Sequence, residues 1–100
     1  LVRQLQGGAY ADLLVAGVEA RQLLAKLDAI AMAAPRTTRL AGSVAEGHMT
    51  WVTRTALWGF PDYTTAQVTT GGLAVYARLR FGSGDQGVNA ARLRDWLGQL

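Results

Sequence analysis

The sequence predicts an α+β fold in which a single antiparallel sheet of four to five strands carries two helices on one face, in the order β-α-β-β-β-β-α. Three observations lead to this prediction. Apolar residues recur at helical spacing in two segments, residues 17–34 and 85–100. Between them, short segments alternate apolar and polar residues, as half-buried strands do. Turn residues separate these segments, and the Gly71-Gly72 pair is typical of a β-hairpin.

The length and composition are those of one globular domain. The chain has 100 residues, of which 50% are hydrophobic and 17% are charged. We expect residues 1–8 to form a loose N-terminal end and residues 9–100 to form a single domain. Because the chain starts at Leu1 rather than Met, we also expect it to be a fragment whose upstream part carries a signal or an anchor.

The first helix is predicted from Gly17 to Ala34, because its apolar residues share one face and Pro35 ends the pattern. A short strand, Tyr10–Val15, precedes it. Four strands follow, at Thr37–Ser43, His48–Trp58, Thr64–Thr70 and Leu73–Phe81.

Alternation along the strands assigns their faces. In the last strand, Leu73, Val75 and Ala77 share one side, whereas Tyr76 and Arg78 share the other. The other strands alternate in the same way. We therefore expect one apolar face that receives the helices and one polar face that carries arginines.

Residues 82–87, GSGDQG, match the G-x-G-x-x-G pattern of dinucleotide-binding loops. That pattern requires a following parallel strand and an acidic residue about 20 positions later, which holds the ribose. The segment after Gly87 is instead a predicted helix that runs to the end of the chain, and Asp85 would repel a pyrophosphate. We therefore predict no nucleotide site and no cofactor.

Around this loop the sequence resembles the family known as domain of unknown function 1499 (DUF1499), which has a GFxDD corner and a later SDxGxNxxRI motif. The matching segments are GFPD at residues 59–62, ARLRFG at residues 77–82 and GDQGVNAARL at residues 84–93. The matching positions are Gly59, Phe60, Asp62, Arg78, Arg80, Gly82, Asp85, Gly87, Asn89 and Arg92. The chain departs from the family where Tyr63 replaces the second corner aspartate and where Ala77, Leu79 and Gly84 replace serines.

The resemblance implies an α+β domain that is often attached to an N-terminal signal, lipid anchor or transmembrane segment, and thus a membrane-associated or periplasmic location. It implies no activity. The predicted order of elements is also similar to that of TBP-like and helix-grip domains, but a shared fold does not establish a function.

The motif residues have a structural interpretation as a corner clamp. Asp85 suits the N-cap of the last helix, the glycines relieve a tight corner, and Asn89 can bond turn backbone. Arg92 can pair with Asp62 or Asp85. The predicted clamp comprises Gly59, Phe60, Asp62, Gly82, Asp85, Gly87, Asn89 and Arg92.

A functional interpretation is that Arg54, Arg78 and Arg80, which face away from the helices, grip an anion. The domain would then be a non-catalytic binding or scaffold module, contacting an anionic lipid, a glycan or a protein partner through this face or through an apolar cavity between sheet and helix. The net charge of +3 favours anionic partners without identifying one. Nucleic acid is disfavoured because, among the arginines, only Tyr76 is clearly an exposed aromatic.

The alternative is a small hydrolase or transferase that uses Asp62 and Asp85 with a basic neighbour. Little else supports catalysis. The chain has no cysteine, and His48 is its single histidine, so a thiolate nucleophile and a histidine cluster for a metal are both excluded. We predict no metal site.

Overall fold

The computed structural model describes residues 2–54, 59–79 and 87–100. Two helices and six strands follow one another along the chain. Their order is β1 (Arg3–Leu5), β2 (Gly8–Leu14), α1 (Gly17–Ala33), β3 (Thr37–Ser43), β4 (His48–Arg54), β5 (Pro61–Thr69), β6 (Gly72–Leu79) and α2 (Val88–Gly98).

The six strands form one open sheet in the order β1-β2-β6-β5-β4-β3, and every neighbouring pair is antiparallel. The predicted α+β class with a single antiparallel sheet is confirmed, with one more strand than the largest number expected. The strands from β3 to β6 form a meander. Strand β2 pairs with β6, and α1 then connects β2 to β3 at the opposite edge of the sheet.

The additional strand lies in the segment that we expected to be a loose end, and that expectation is wrong for residues 3–5. Arg3–Leu5 pairs with the start of β2 across a two-residue turn, Gln6-Gly7, in which Gly7 has a φ of 77°. A positive φ at the second central residue of a turn favours glycine. All three residues of β1 are exposed, so the segment has no apolar periodicity that could reveal it.

Two other boundaries differ from the prediction. The predicted corner at residues 59–62 is shorter, because Pro61 and Asp62 already belong to β5. A proline is compatible with the first position of a strand, where its missing N–H costs least. The last helix begins at Val88, with Gly87 in the left-handed conformation at its N-cap, so the N-cap position predicted for Asp85 is wrong. The ends predicted for the strands that begin at His48 and Leu73, residues 55–58 and 80–81, lie outside the described residues.

Both helices pack on the same face of the sheet, where the core lies. The alternation predicted for the strands is confirmed in β6, whose Leu73, Val75 and Ala77 are buried while Tyr76 and Arg78 are exposed. Trp51 of β4 and Trp96 of α2 meet edge to face, with ring centroids 6.1 Å apart. Helix α1 contributes Ala20, Leu24, Leu27 and Ala31, and α2 contributes Ala90, Leu93 and Trp96.

Small residues let the helices approach this face closely. Ala9, Ala66 and Ala77 lie under them and are fully buried. The opposite face, called the open face below, carries the alternate residues of each strand and is covered by no described element. The sheet therefore presents one face to the core and the other to solvent, as antiparallel sheets commonly do.

Candidate functional site

Asp62 lies on the helix side of the sheet, in the second position of β5. Its partners in the register are Thr53 of β4 and Leu79 of β6. Only 6% of the residue is exposed, although burying a charged carboxylate is costly unless it is paired. The local structure therefore requires a counterion, which α2 supplies.

Arg92 of α2 is that counterion. Its Nη2 donates to Oδ2 of Asp62 at 3.2 Å, and its Nη1 donates to Oδ1 of Asn89 at 2.5 Å. Asn89 is fully buried and precedes Arg92 by three residues, so both side chains project from the same side of the helix. The structure thus brings together three residues of the predicted corner clamp. Such a buried pair ties α2 to the end of the sheet.

Three other residues of the predicted clamp, Gly59, Phe60 and Gly87, are among the described residues. Gly59 has a φ of 70°, and its carbonyl accepts a hydrogen bond from Nη1 of Arg54 at 3.0 Å. Phe60 is 52% exposed. Gly87 at the start of α2 faces the side chain of Gln4 in β1, which lies 3.4 Å from where a Cβ would be. Arg80, Gly82 and Asp85 lie outside the described residues.

A second polar cluster, which the sequence interpretation missed, fastens α1 to the sheet. Asp28 accepts a hydrogen bond from Nε1 of Trp51 at 2.9 Å and another from Nε of Arg39 at 3.0 Å. Arg39 also forms a salt bridge with Asp28 through its Nη2. Partial burial raises the pKa of the Asp28 carboxyl, but the hydrogen bonds from Arg39 and Trp51 outweigh it, so the pKa is below its ordinary value.

This second cluster is a structural link rather than a reactive centre. Each oxygen of Asp28 is engaged, and both partners belong to the sheet beneath α1. The helical pattern places Asp28 outside the apolar stripe, and this position by itself predicts a solvent-exposed side chain. The residue that could have revealed this cluster from the sequence is Trp51, because a buried indole N–H requires a hydrogen-bond acceptor.

The open face carries Arg54 and Arg78, two of the three arginines predicted to bind an anion. Arg54 is exposed, but its guanidinium already donates to the Gly59 carbonyl. Arg78 is exposed and, within the described residues, its side chain makes no hydrogen bond or ion pair. Arg3 of β1 lies on the same face, opposite Tyr10 in the register. Arg54 and Arg78 are separated by β5, so the structure does not place them on adjacent strands.

Three tyrosines accompany these arginines. Tyr10 is opposite Tyr76, and Tyr63 is opposite Arg78. Tyr76 is 41% exposed, and the other two are half-buried. Tyr10 donates to Oδ1 of Asp12 at 2.7 Å, and this hydrogen bond, together with the Asp12 charge, raises the pKa of the Tyr10 hydroxyl. The prediction that Tyr76 is an exposed aromatic agrees with its exposure, whereas Tyr10 and Tyr63 were missed.

Two grooves follow β2 on the open face. The first has a volume of about 280 Å³ and is lined by residues 5–8 together with Tyr76, Arg78 and Leu79. The second has a volume of about 390 Å³ and is lined by Arg3, Tyr10, Asp12 and Leu14. These volumes lie near the lower end of the range for ligand sites, roughly 300–1,000 Å³. Each groove therefore suits one small group of a ligand, beside one arginine and one tyrosine.

The comparison with known families agrees with the motif resemblance. The model of the family described as "Protein of unknown function (DUF1499)" matches residues 6–100. The chain belongs to this family. No curated protein sequence and no solved structure shows significant similarity to the chain.

Two further surface grooves of the DUF1499 domain lie on its helix side. One, of about 340 Å³, runs between the end of α1 and α2 and includes Arg36, Thr53, Arg92 and Asp95. The other, of about 500 Å³, lies between β2 and α2 and is lined by Val2, Ala11, Leu13, Arg94, Leu97 and Gly98. This groove lies where the sequence analysis considered an apolar cavity between sheet and helix, although it opens at the edge of the sheet.

The described part of the DUF1499 domain contains no group of three or more side chains that could hold a metal ion. His48 is exposed at the start of β4 on the open face, opposite Gln67. Among the described helices, none is long and apolar enough to cross a membrane. The chemistry that this geometry offers is charge and hydrogen-bond recognition on the open face, and structural pairing on the helix side.

Proposed function

We propose that this DUF1499 domain is a non-catalytic binding module that holds an anionic ligand on its open face. The observation that supports the proposal is Arg78, an exposed guanidinium without a partner among the described residues, beside Tyr76 and a groove of about 280 Å³. A guanidinium presents a fixed fork of donors that matches an anionic oxygen pair.

Arg78 differs from most of the other arginines because their guanidiniums already donate hydrogen bonds within the domain. Arg21 donates to the carbonyl oxygens of Val44 and Ala45, and Arg36 donates to the carbonyl oxygen of Arg54. The guanidiniums of Arg39, Arg54 and Arg92 also donate within the domain. Because these donors are already engaged, they support the fold. On the open face, Arg78 and Arg3 are the described arginines left to bind a partner.

The alternative, a hydrolase or transferase using Asp62 and Asp85, has no comparable support. Asp62 is buried and is held by Arg92 on the helix side, whereas a catalytic carboxylate must reach its substrate. Asp85 lies outside the described residues. We therefore propose binding rather than catalysis. The family resemblance further suggests a module at the cell envelope, which membrane fractionation of cells that express the full-length protein would check.

A retention experiment tests the binding proposal. The purified domain is applied to immobilised heparin and to vesicles that contain phosphatidylglycerol, and the salt concentration for release is measured. We expect Arg78→Ala to lower this concentration on at least one matrix, because an exposed anion contact weakens with salt. Arg94→Ala, which removes the same charge from the exposed side of α2, is the matched control. Equal release of the wild type and Arg78→Ala from both matrices would contradict the proposal.

A further inference from the structure

We infer that the anionic ligand of the open face is an acidic polysaccharide that carries widely spaced carboxylates, as uronic acids alternating with neutral sugars do. This inference rests on the proposed function and concerns the same face. It follows from the arrangement of the two grooves along β2, from the spacing of their arginines and from the hydroxyl and amide groups around them.

The two grooves repeat the same pair of side chains. The first combines Arg78 with Tyr76, and the second combines Arg3 with Tyr10. Tyr76 and Tyr10 are register partners, so the grooves meet where the two rings are neighbours. A guanidinium binds a carboxylate through two parallel hydrogen bonds. The face of a tyrosine ring attracts the C–H groups of a sugar, as it attracts the positive edges of other rings.

The backbone leaves room for such a ligand in the first groove. Gly7 and Gly8 line it, so no side chain rises from these positions of the turn and β2. A Cβ on Gly8 would lie 2.3 Å from the carbonyl oxygen of Ala77, so the close pairing with β6 requires glycine there. Leu5 is 44% exposed and lines the same groove. The groove thus combines two leucines and a tyrosine ring with one cation, Arg78, which suits a sugar ring with a single charged substituent.

The spacing of the arginines distinguishes polysaccharides from nucleic acids. Arg3 and Arg78 flank β2 on its two sides and are offset by one two-residue step, because Arg3 is opposite Tyr10 and Arg78 is opposite Gly8. Strand spacing and rise then place their Cα atoms about 12 Å apart. A nucleic acid strand carries one phosphate per roughly 3.4 Å of helical rise, so most of its charges would find no partner here.

The charge on the face is also too sparse for a membrane surface. Basic segments that bind anionic lipids concentrate roughly four to eight lysines or arginines. The second groove also contains Asp12, so it holds one positive and one negative charge and offers little net attraction to a densely charged surface. On the same face, polar groups continue through Thr65 and Gln67 of β5, which is next to β6, to Thr50 and His48 of β4. A ligand with few charges and many hydroxyl groups matches this composition better than either polyanion.

Calorimetric titration with hyaluronan oligosaccharides tests the inference, because these carry one carboxylate per disaccharide and no sulfate. We expect the wild-type domain to bind a hyaluronan hexasaccharide more tightly than neutral dextran or a single-stranded oligonucleotide. Arg3→Ala and Arg78→Ala should each weaken this binding by roughly five- to tenfold, the range for charge-assisted hydrogen bonds that are partly exposed. Arg94→Ala should change it by less than about twofold.

Two outcomes would overturn the inference, and they differ in what they mean for the proposed function. If heparin or vesicle retention depends on Arg78 but hyaluronan does not bind, the carboxylated polysaccharide is wrong and the anion-binding module stands. If Arg78→Ala changes no interaction with any of these ligands, both are wrong. Tyr76→Ala provides an independent readout, because stacking should matter for hyaluronan and little for vesicles. Thermal unfolding of each variant verifies that the open-face substitutions leave the fold intact.

Discussion

Asp28 is the residue at which three parts of the domain meet. From α1 it accepts hydrogen bonds from Trp51 in the middle of β4 and from Arg39 on the edge strand β3. The carboxylate therefore satisfies the buried indole N–H and neutralises a cation at the edge of the sheet. Because its pKa is lowered in the folded protein, protonation must weaken the fold.

The stability of the domain should therefore decrease in acid partly through Asp28. A carboxyl whose folded pKa is depressed contributes stability above its unfolded pKa, about 4, and loses it as the pH falls through the folded pKa. We expect Asp28→Asn to lower the free energy of unfolding at pH 6 and to reduce its dependence on pH between about 5 and 2. Urea unfolding followed by tryptophan fluorescence measures both. A wild-type and a variant curve of equal slope would show that Asp28 is not responsible.

The pair formed by Arg92 and Asp62 is the other residue-scale determinant. Its side chains are 13% and 8% exposed, so removing Arg92 takes an ion-pair partner away from a buried carboxylate. We expect Arg92→Met to destabilise the domain by about 3 kcal/mol, the lower end of the range for breaking a buried pair. The double variant Asp62→Asn with Arg92→Met should lose less than the sum of the single variants, as a double-mutant cycle would measure.

A matched control for this cycle is Arg94→Met, two positions along the same helix and exposed. Its effect should stay within about 0.5 kcal/mol, because surface substitutions away from special features rarely exceed that. Additivity between Asp62→Asn and Arg92→Met would indicate that the two side chains stabilise the domain independently.

At the scale of the elements, alternation and helical spacing predicted the meander and both helices, because those residues are divided between core and solvent. The start and end of β3 agree with the prediction, and the faces of β6 do as well. The prediction failed where the signal is physically absent. Strand β1 is exposed at every residue, and β5 begins with a proline that usually marks a turn.

The hairpin between β5 and β6 offers a direct test of a glycine requirement. Gly72 has a φ of 153°, and a Cβ there would lie 1.8 Å from the carbonyl oxygen of Leu13 in β2. We expect Gly72→Ala to destabilise the domain by about 2–4 kcal/mol, because the neighbouring backbone cannot yield without breaking the β2–β6 pairing. Urea unfolding measures the change.

Gly71→Ala is the natural comparison, since nothing lies within 4 Å of a Cβ at Gly71. This variant should be close to neutral, although Gly71 is adjacent to Gly72 in the chain. If Gly72→Ala were equally harmless, the close approach of β2 to the hairpin would be wrong.

For the whole molecule, the sequence predicted which face would carry the arginines but not how they would be grouped. Arg78 was placed on the open face from its alternation with Val75 and Ala77. Arg3 and the two grooves could not be foreseen, since they depend on β1 and on the pairing of β2 with β6. Pairing between strands distant in sequence leaves little trace in local periodicity.

The topology also predicts how stability is distributed. Strands β6 and β5 are central and have partners on both sides, whereas β1 and β3 form the edges. We expect the slowest amide hydrogen exchange in β5 and β6 and the fastest among the strands in β1, because edges can open without global unfolding. Hydrogen exchange with mass spectrometry resolves these segments. Exchange in β1 as slow as in β6 would contradict this ranking.

The pairing of Gly8 with Arg78 has a consequence for folding during synthesis of the protein. Within the domain, β2 is synthesised before α1, β3, β4 and β5, and its partner β6 is synthesised after them. Until then β2 has an unpaired edge and an uncovered apolar side, so a chain truncated before β6 cannot complete the sheet. The domain can therefore complete its fold only after β6 has been synthesised, and ribosome-bound intermediates that lack β6 should be more prone to aggregation than the complete domain.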